Sequence, residues 1–173
     1  MSKQMKAGTV RVLIVLLLCL LLCGCNTADN AVDYESDMQC MVSINCANAL
    51  AHSAELPEAL VERLPKDGVV LEGITVPVQE GDTVFDVLQR VTKKQNIHME
   101  YVDTPLYNSA YIEGIANLYE FDCGEHSGWM YSVNGEFPNY GCSSCIVNDG
   151  DVIQWVYTCD LGNDVGNDNG TQQ

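Results

Sequence analysis

The sequence predicts an α+β fold, in which one main helix packs across a sheet. Residues 39–46 alternate between apolar and polar side chains, which is typical of a half-buried strand. Residues 152–157 alternate in the same way near the other end of the chain, with Trp155 and Tyr157 on one face. Between them, residues 84–91 carry apolar side chains at helical spacing. Strands at both ends and an amphipathic helix between them indicate a sheet that the helix covers.

The main helix has a well-defined start. Thr83 and Asp86 form the [ST]-x-x-[DE] pattern of a capping box, and the helical pattern fades near Asn96. The apolar stripe that would face the sheet consists of Val84, Val87, Leu88 and Val91.

Shorter elements are predicted on either side of this helix. Residues 47–64 could hold one or two helical turns, with Pro57 at a helix start and Pro65 after a helix end. An Asp67-Gly68 turn precedes the next strand. The remaining extended segments are predicted at 69–71, 74–78, 98–102 and 111–115.

Residues 1–24 have the pattern of a bacterial export signal. Three cations precede an apolar run that is too short for a stable membrane span. The segment closes on Leu-Cys-Gly-Cys at 22–25, which resembles a lipobox, so cleavage after Gly24 would leave Cys25 as a lipidated N-terminus. The alternative is an ordinary signal peptide that contains cysteine. The sequence therefore predicts an extracytoplasmic lipoprotein, held to the bacterial cell membrane by acyl chains on Cys25.

The rest of the chain divides into three segments. Residues 25–38 are polar and acidic, and we expect a flexible tether with a reach of roughly 20 Å. Residues 39–161 are long enough for one domain with a sizeable core. Residues 162–173 resemble the tether in composition, and the sequence predicts a disordered tail there.

The net charge excludes one class of partner. The whole chain carries 8 Lys+Arg against 24 Asp+Glu, a formal charge of −16. Removal of residues 1–24 takes away three cations and no anions, which leaves five against 24, or −19. Such a chain repels phosphate backbones, so we expect no nucleic-acid binding.

Residues 127–145 hold the densest cluster of distinctive residues. Trp129 and Tyr131 alternate with Met130 and Ser132, and they precede Asn134-Gly135, a strong signal for a hairpin with a type I′ turn. The sequence therefore predicts an aromatic β-hairpin that reverses at Asn134.

Three motifs in order resemble a known family. They are EGDTVFDVLQRV at 80–91, YIEGIANLYEFDCGEHSGWMYSVNG at 111–135 and NDGDVIQWVYTCDLG at 148–162. They resemble an uncharacterised bacterial domain (DUF4430) that is itself similar to the C-terminal β-domain of transcobalamin and intrinsic factor. The resemblance covers residues 39–166 and implies a β-grasp-like mixed sheet. In the vitamin carriers this domain closes over cobalamin that a large helical domain holds, and this sequence contains no such helical domain.

Six cysteines lie beyond Cys25, an even count that favours disulfides in an exported domain. Cys40 and Cys46 share one strand roughly 20 Å apart, too far for a bond between them. In β-grasp folds the first and last strands are parallel neighbours, so the resemblance allows Cys46 to meet Cys159. Cys123 and Cys142 flank the predicted hairpin, and a bond between them would close its base. The sequence thus predicts a disulfide-stapled fold with these two pairs.

Zinc and redox chemistry are the alternatives for the same cysteines. Four residues have the spacing of a Cys₃His zinc site: Cys123, His126, Cys142 and Cys145. Cys142-Ser-Ser-Cys145 also has the spacing of a redox pair, although that motif normally lies at a strand-to-helix turn. Both remain open beside the disulfide prediction, and no resident cofactor is predicted.

The sequence predicts a binding protein, and no enzyme, because its three histidines are scattered and it has no catalytic motif. Ligand binding is predicted at the aromatic and turn residues Tyr111, Trp129, Tyr131, Asn134, Phe137 and Tyr140. Trp129 and Trp155 could instead be core residues.

Two functions follow from these residues and from the resemblance. The first is a cell-surface lipoprotein module that binds cobalamin or another corrinoid or small ligand and hands it to a membrane importer. The second is a surface module that binds a protein or a glycan and has no small-molecule ligand.

Overall fold

The computed structural model describes residues 37–104 and 109–167. The predicted signal peptide, Cys25, most of the predicted tether and residues 168–173 lie outside this range. Among the described residues, none of the helices has both the length and the apolar character needed to cross a bilayer.

The described residues contain seven strands and three α-helices. The strands are β1 (Gln39–Asn45), β2 (Val69–Pro77), β3 (Met99–Thr104), β4 (Ser109–Ile115), β5 (Leu118–Tyr119), β6 (Gly128–Val133) and β7 (Val152–Thr158). The helices are α1 (Ala47–Ala51), α2 (Glu58–Val61) and α3 (Val84–Gln95).

The strands form two sheets, and the larger one confirms the predicted mixed topology. Its order is β2-β1-β7-β6, and its two central strands, β1 and β7, are parallel. The outer strands β2 and β6 pair antiparallel with their neighbours. The smaller sheet is antiparallel in the order β3-β4-β5. First and last strands that lie side by side, with one main helix, confirm the α+β, β-grasp-like fold.

Helix α3 begins and packs as the sequence predicts. The Thr83 hydroxyl accepts a hydrogen bond from the Asp86 amide at 3.2 Å, and the Asp86 carboxylate accepts one from the Thr83 amide at 2.9 Å. The helix ends at Asn96, which adopts a left-handed conformation with φ of 53°. The four predicted stripe residues are all buried, and they pack in one core with β1 and β7: Val84, Val87, Leu88 and Val91.

A second, smaller core lies near the ends of β1 and β7. It contains Cys46, Leu118, Cys123 and Tyr157, together with apolar residues of α1 and the α2 region. The hydroxyl of Tyr157 lies 2.6 Å from the Tyr119 carbonyl oxygen and 3.0 Å from the Ser127 hydroxyl. These contacts join the segment between β5 and β6 to the last strand.

The predicted hairpin is present only as its turn. Asn134 and Gly135 have positive φ of 54° and 86°, as a type I′ turn requires. After the turn, a single bridge joins Val133 to Glu136, and the chain then leaves β6. The strand that pairs with β6 is β7. The two strands are antiparallel, and Gly128 lies opposite Thr158 and Val133 opposite Ile153.

The predicted tail is ordered over the part of it that the structure describes. Asn163–Val165 form a 3-10 helix. The Asp164 carboxylate accepts hydrogen bonds from the Cys159 amide at 2.8 Å, the Thr158 hydroxyl and the Asn48 side chain. The prediction of a disordered tail is therefore wrong for residues 162–167, because the Asp164 carboxylate bonds back to Thr158 of β7.

Candidate functional site

The candidate site is the loop 134–141, here called the recognition loop. Both polar atoms of the Asn134 side chain, at the start of this loop, are hydrogen-bonded. Asn134 Nδ2 donates to Asp151 Oδ1 at 2.8 Å, and Asn134 Oδ1 accepts from the Val152 amide at 2.9 Å. The Asn134 amide also donates to the Val152 carbonyl at 2.8 Å. These bonds fix the start of the loop to the first residues of β7.

Tyr131 contacts the recognition loop near its C-terminal end, at Tyr140. Its ring is 8% exposed and lies 5.5 Å from the ring of Trp155 between centroids. Its hydroxyl donates to the Tyr140 carbonyl oxygen at 2.8 Å. Tyr131 was predicted to contact a ligand, but the structure buries it under the loop, where it positions the backbone of Tyr140.

The last residue of the loop packs against β4. A Cβ added to Gly141 would lie 1.6 Å from the Ser109 hydroxyl oxygen, so only glycine fits this close approach. The next turn continues the contact, because Ser143 Oγ accepts from the Ala110 amide at 2.9 Å. Both ends of the recognition loop are therefore joined to strands.

Tyr140 is the predicted ligand-binding aromatic that the structure leaves open on this loop. Its side chain is 52% exposed, and its hydroxyl lies 3.8 Å from the Cys145 sulfur. Phe137 in the same loop is half-buried. An exposed ring on a backbone that is bonded at both ends can contact a ligand with little loss of conformational entropy.

Trp129 and Tyr111 lie on strands outside the loop. Trp129 is half-buried, donates from Nε1 to the Leu118 carbonyl at 2.8 Å and packs edge-on against Tyr157. Tyr111 is 45% exposed on β4, and its hydroxyl donates to Glu120. Partial burial and this carboxylate raise the pKa of Tyr111 to about 12. The structure therefore gives Trp129 a structural contact and leaves Tyr111 open on a different element.

The predicted zinc ligands are not brought together. Cys142 and Cys145 belong to the main core and Cys123 to the smaller one, while the exposed His126 lies 3.9 Å from Glu125. Within residues 37–104 and 109–167, the group of side chains spaced for a metal ion is a different one: His52, Cys159 and Asp164. The structure does not support the zinc alternative, because the two halves of the motif lie in separate clusters.

The structure does not confirm the predicted disulfide pairs. No S–S bond joins any of the six cysteines of the described domain in this structure, and the sulfurs of Cys123 and Cys159 lie 2.9 Å apart. The predicted pairs were Cys46–Cys159 and Cys123–Cys142. The structure instead places Cys123 next to Cys159. Cys123 lies beside Cys159 because β6 pairs with β7, which places the loop before β6 beside the end of β7.

Asp151 is a site residue that the sequence reasoning missed. It is 8% exposed, and it accepts hydrogen bonds from Asn134 Nδ2 and from the Asn148 amide at 2.7 Å. The turn pattern Asn148-Asp149-Gly150-Asp151 could have indicated it, because an Asp three residues after Asn can bond back within such a turn. Its second partner, Asn134, could come only from the tertiary structure.

One protein-family model matches part of the chain. Residues 81–159, a little under half of the chain, match the model of the family described as a domain of unknown function (DUF4430). The match spans α3, the recognition loop and β7. No curated protein is detectably similar to the chain in sequence.

Two solved structures are similar over part of the chain. Haptocorrin in complex with Cbi is 16% identical with a TM-score of 0.46, over 70% of this chain and 26% of that chain. A candidate metal-binding protein from Ruminococcus gnavus ATCC 29149 is 14% identical with a TM-score of 0.40, over 70% of this chain and 97% of that chain. The chain thus spans about a quarter of the haptocorrin chain.

Proposed function

We propose that the domain is a non-catalytic binding module whose recognition loop contacts a small, flat ligand of the corrinoid class. The observation that carries this proposal is Tyr140, whose ring is 52% exposed while its carbonyl oxygen is held by Tyr131. A ring presented in this way offers a flat apolar face together with a hydroxyl group.

The corrinoid class is supported by the sequence and by the charge. The three motifs resemble a domain similar to the β-domain of the vitamin carriers, and the family match covers them from residue 81 to 159. The domain is strongly acidic, and Glu136 is exposed on the recognition loop. Aquacyanocobinamide is a cation, so electrostatic attraction favours it at low salt.

The proposal also includes a lipid anchor on the module. Acyl chains on Cys25 would hold it to the outer face of the membrane, where it would deliver its ligand to an importer. The family resemblance covers only half of the clamp seen in the carriers, so we expect weak binding by this domain alone.

Equilibrium dialysis with aquacyanocobinamide and cyanocobalamin tests the proposal. We expect Kd in the tens of micromolar for the wild type and about tenfold weaker binding for Tyr140→Ala, because an exposed aromatic contact contributes about 1–2 kcal/mol. Phe121→Ala is the matched control, since Phe121 is exposed on a different loop. Absence of binding by the wild type, or equal losses in both variants, would contradict the proposal.

A surface module for a protein or glycan is the second candidate, and the edge strand β3 favours it. β3 has one neighbour in its sheet, and Tyr101 and Val102 on it are exposed. A free edge with apolar side chains can add a strand from a partner. If this candidate is right, Val102→Lys weakens binding to an immobilised peptide or glycan array and Tyr140→Ala does not.

A further inference from the structure

Cys123 and Cys159 meet at the base of the β6–β7 pair. The ladder begins with Gly128 opposite Thr158, so Cys159 follows the last paired residue of β7. The loop before β6 folds back over this point, and the two sulfur atoms lie 2.9 Å apart although the residues are 36 positions apart. Formation of a bond between them needs a movement on the order of 1 Å.

The backbones of both cysteines are held in place by neighbouring side chains. The Cys123 amide donates to Ser127 Oγ at 3.1 Å, and the Cys159 amide donates to Asp164 Oδ2 at 2.8 Å. Burial alone would raise the pKa of Asp164, but hydrogen bonds from Thr158, Cys159 and Asn48 outweigh it and lower this pKa. An ionised Asp164 therefore keeps the Cys159 backbone fixed around neutral pH.

We propose that Cys123 and Cys159 form a disulfide that closes a ring around β6, the recognition loop and β7. Both termini of the segment that carries Tyr140 would then be joined by a covalent bond. The four remaining thiols of the domain take no part, and Cys142 and Cys145 belong to the other core.

The oxidant is a disulfide compound, for which oxidised glutathione serves as the test reagent. The Cys159 sulfur, which is half-buried, loses its proton and attacks one sulfur of glutathione disulfide, releasing one glutathione thiol and leaving a mixed disulfide. The buried Cys123 then loses its proton and displaces the second glutathione from Cys159. Two protein thiols are oxidised, and one glutathione disulfide is reduced to two thiols.

A metal ion is the competing use of Cys159, since ligand atoms of His52 and Asp164 lie within 4.8 Å of its sulfur and of each other. The geometry favours the disulfide. Both carboxylate oxygens of Asp164 already accept hydrogen bonds, and His52 Nδ1 lies 3.0 Å from the Asn48 carbonyl.

Peptide mapping of the purified full chain tests the proposal. The chain is incubated with oxidised glutathione at mildly alkaline pH, because burial raises the pKa of both thiols. It is then blocked with N-ethylmaleimide in acid and digested with chymotrypsin. Trypsin is unsuitable, because no Lys or Arg follows Lys94 and four cysteines would share one peptide. Chymotrypsin separates 122–129 from 158–161, and we expect these two peptides to be linked.

Two variants and one metal analysis make the test decisive. Oxidation should also raise the urea concentration at the unfolding midpoint of the wild type, because the disulfide restricts the unfolded chain. Cys159→Ser should abolish both the linked peptides and this rise. Cys46→Ala, which changes a cysteine in the same core, should keep both. Cys159 linked to Cys46, Cys142 or Cys145 overturns the proposal, and so do unlinked Cys123 and Cys159 after oxidation. One zinc ion per chain, lost in Cys159→Ser, would also overturn it and would assign the site to metal. None of these results depends on corrinoid binding.

Discussion

The two tryptophans differ in a single atomic contact that decides what each indole contributes. Trp129 Nε1 donates to the Leu118 carbonyl at 2.8 Å, whereas the buried Trp155 Nε1 has no hydrogen-bond partner among the described residues. A buried donor without a partner costs about 1–3 kcal/mol, while a satisfied one contributes about 1 kcal/mol. The indole N–H therefore stabilises the fold at Trp129 and destabilises it at Trp155.

Replacing each indole N–H by sulfur, through incorporation of benzothienylalanine, should separate the two tryptophans. At Trp155 we expect an unchanged or higher free energy of unfolding, because the ring shape is kept and the unpartnered donor is removed. At Trp129 we expect a loss of about 1 kcal/mol, because the Leu118 carbonyl loses its partner. Urea unfolding measures both, and equal effects at the two positions would contradict this reading of the contacts.

The buried thiols make the stability depend on alkaline pH. Burial is the main cause that raises the pKa values of Cys40, Cys46 and Cys142, each to about 11. In the unfolded chain these thiols ionise near pH 8.5. The folded state therefore binds more protons between the two values, and stability falls as the pH rises through that window.

We expect the free energy of unfolding, measured with urea under reducing conditions, to be constant up to about pH 8 and to fall steadily towards pH 11. Cys46→Ala should show a shallower fall, since one thiol with a raised pKa has been removed. A stability that stays flat to pH 11 would show that these thiols are not buried as described.

At the scale of elements, local signals predicted α3 and the turns accurately. Thr83 and Asp86 form the predicted capping box, Pro57 precedes α2, and Asn134-Gly135 adopts positive φ. Each of these features depends on residues within four positions of each other, where side chain and backbone bond directly. The pairing of β6 with β7 was not predicted, because it depends on packing across the sheet and not on residues near in sequence.

Thr83→Ala should destabilise the domain by about 1 kcal/mol, because it removes the hydroxyl that accepts from the Asp86 amide at the start of α3. Thr83→Ser is the matched control, as it keeps the hydroxyl and should stay within about 0.5 kcal/mol of the wild type. Thermal or urea unfolding reports the difference. If alanine and serine have the same effect, the capping box does not stabilise this helix.

At the scale of the whole molecule, the domain is compatible with a place just outside a membrane. The tether that the sequence predicts at residues 25–38 would have a reach of roughly 20 Å, so we expect the described domain to stay close to the surface that holds it. Its formal charge of −19 after signal removal repels anionic lipid head groups. We therefore expect attachment through acyl chains and not through the protein surface.

Cys25→Ser tests this placement in cells. The wild-type chain should incorporate labelled palmitate and sediment with membranes, and the variant should do neither, because serine offers no thiol for acylation. Cys23→Ser is the control, since Cys23 precedes the predicted cleavage point and should not affect labelling. Equal labelling of all three chains, or none, would contradict the predicted lipobox.

Periodicity, turn chemistry and charge were enough to predict the α+β class, the main helix, its apolar stripe and the type I′ turn. These features depend on neighbours in sequence, where the geometry is nearly independent of the rest of the chain. The position of Tyr131 beneath Tyr140, the bond from Asp151 to Asn134 and the contact of Cys123 with Cys159 came only with the tertiary structure. They join residues between 9 and 36 positions apart. Such contacts form because β1 and β7 pair in the centre of the sheet, a long-range choice made by burial of the whole core.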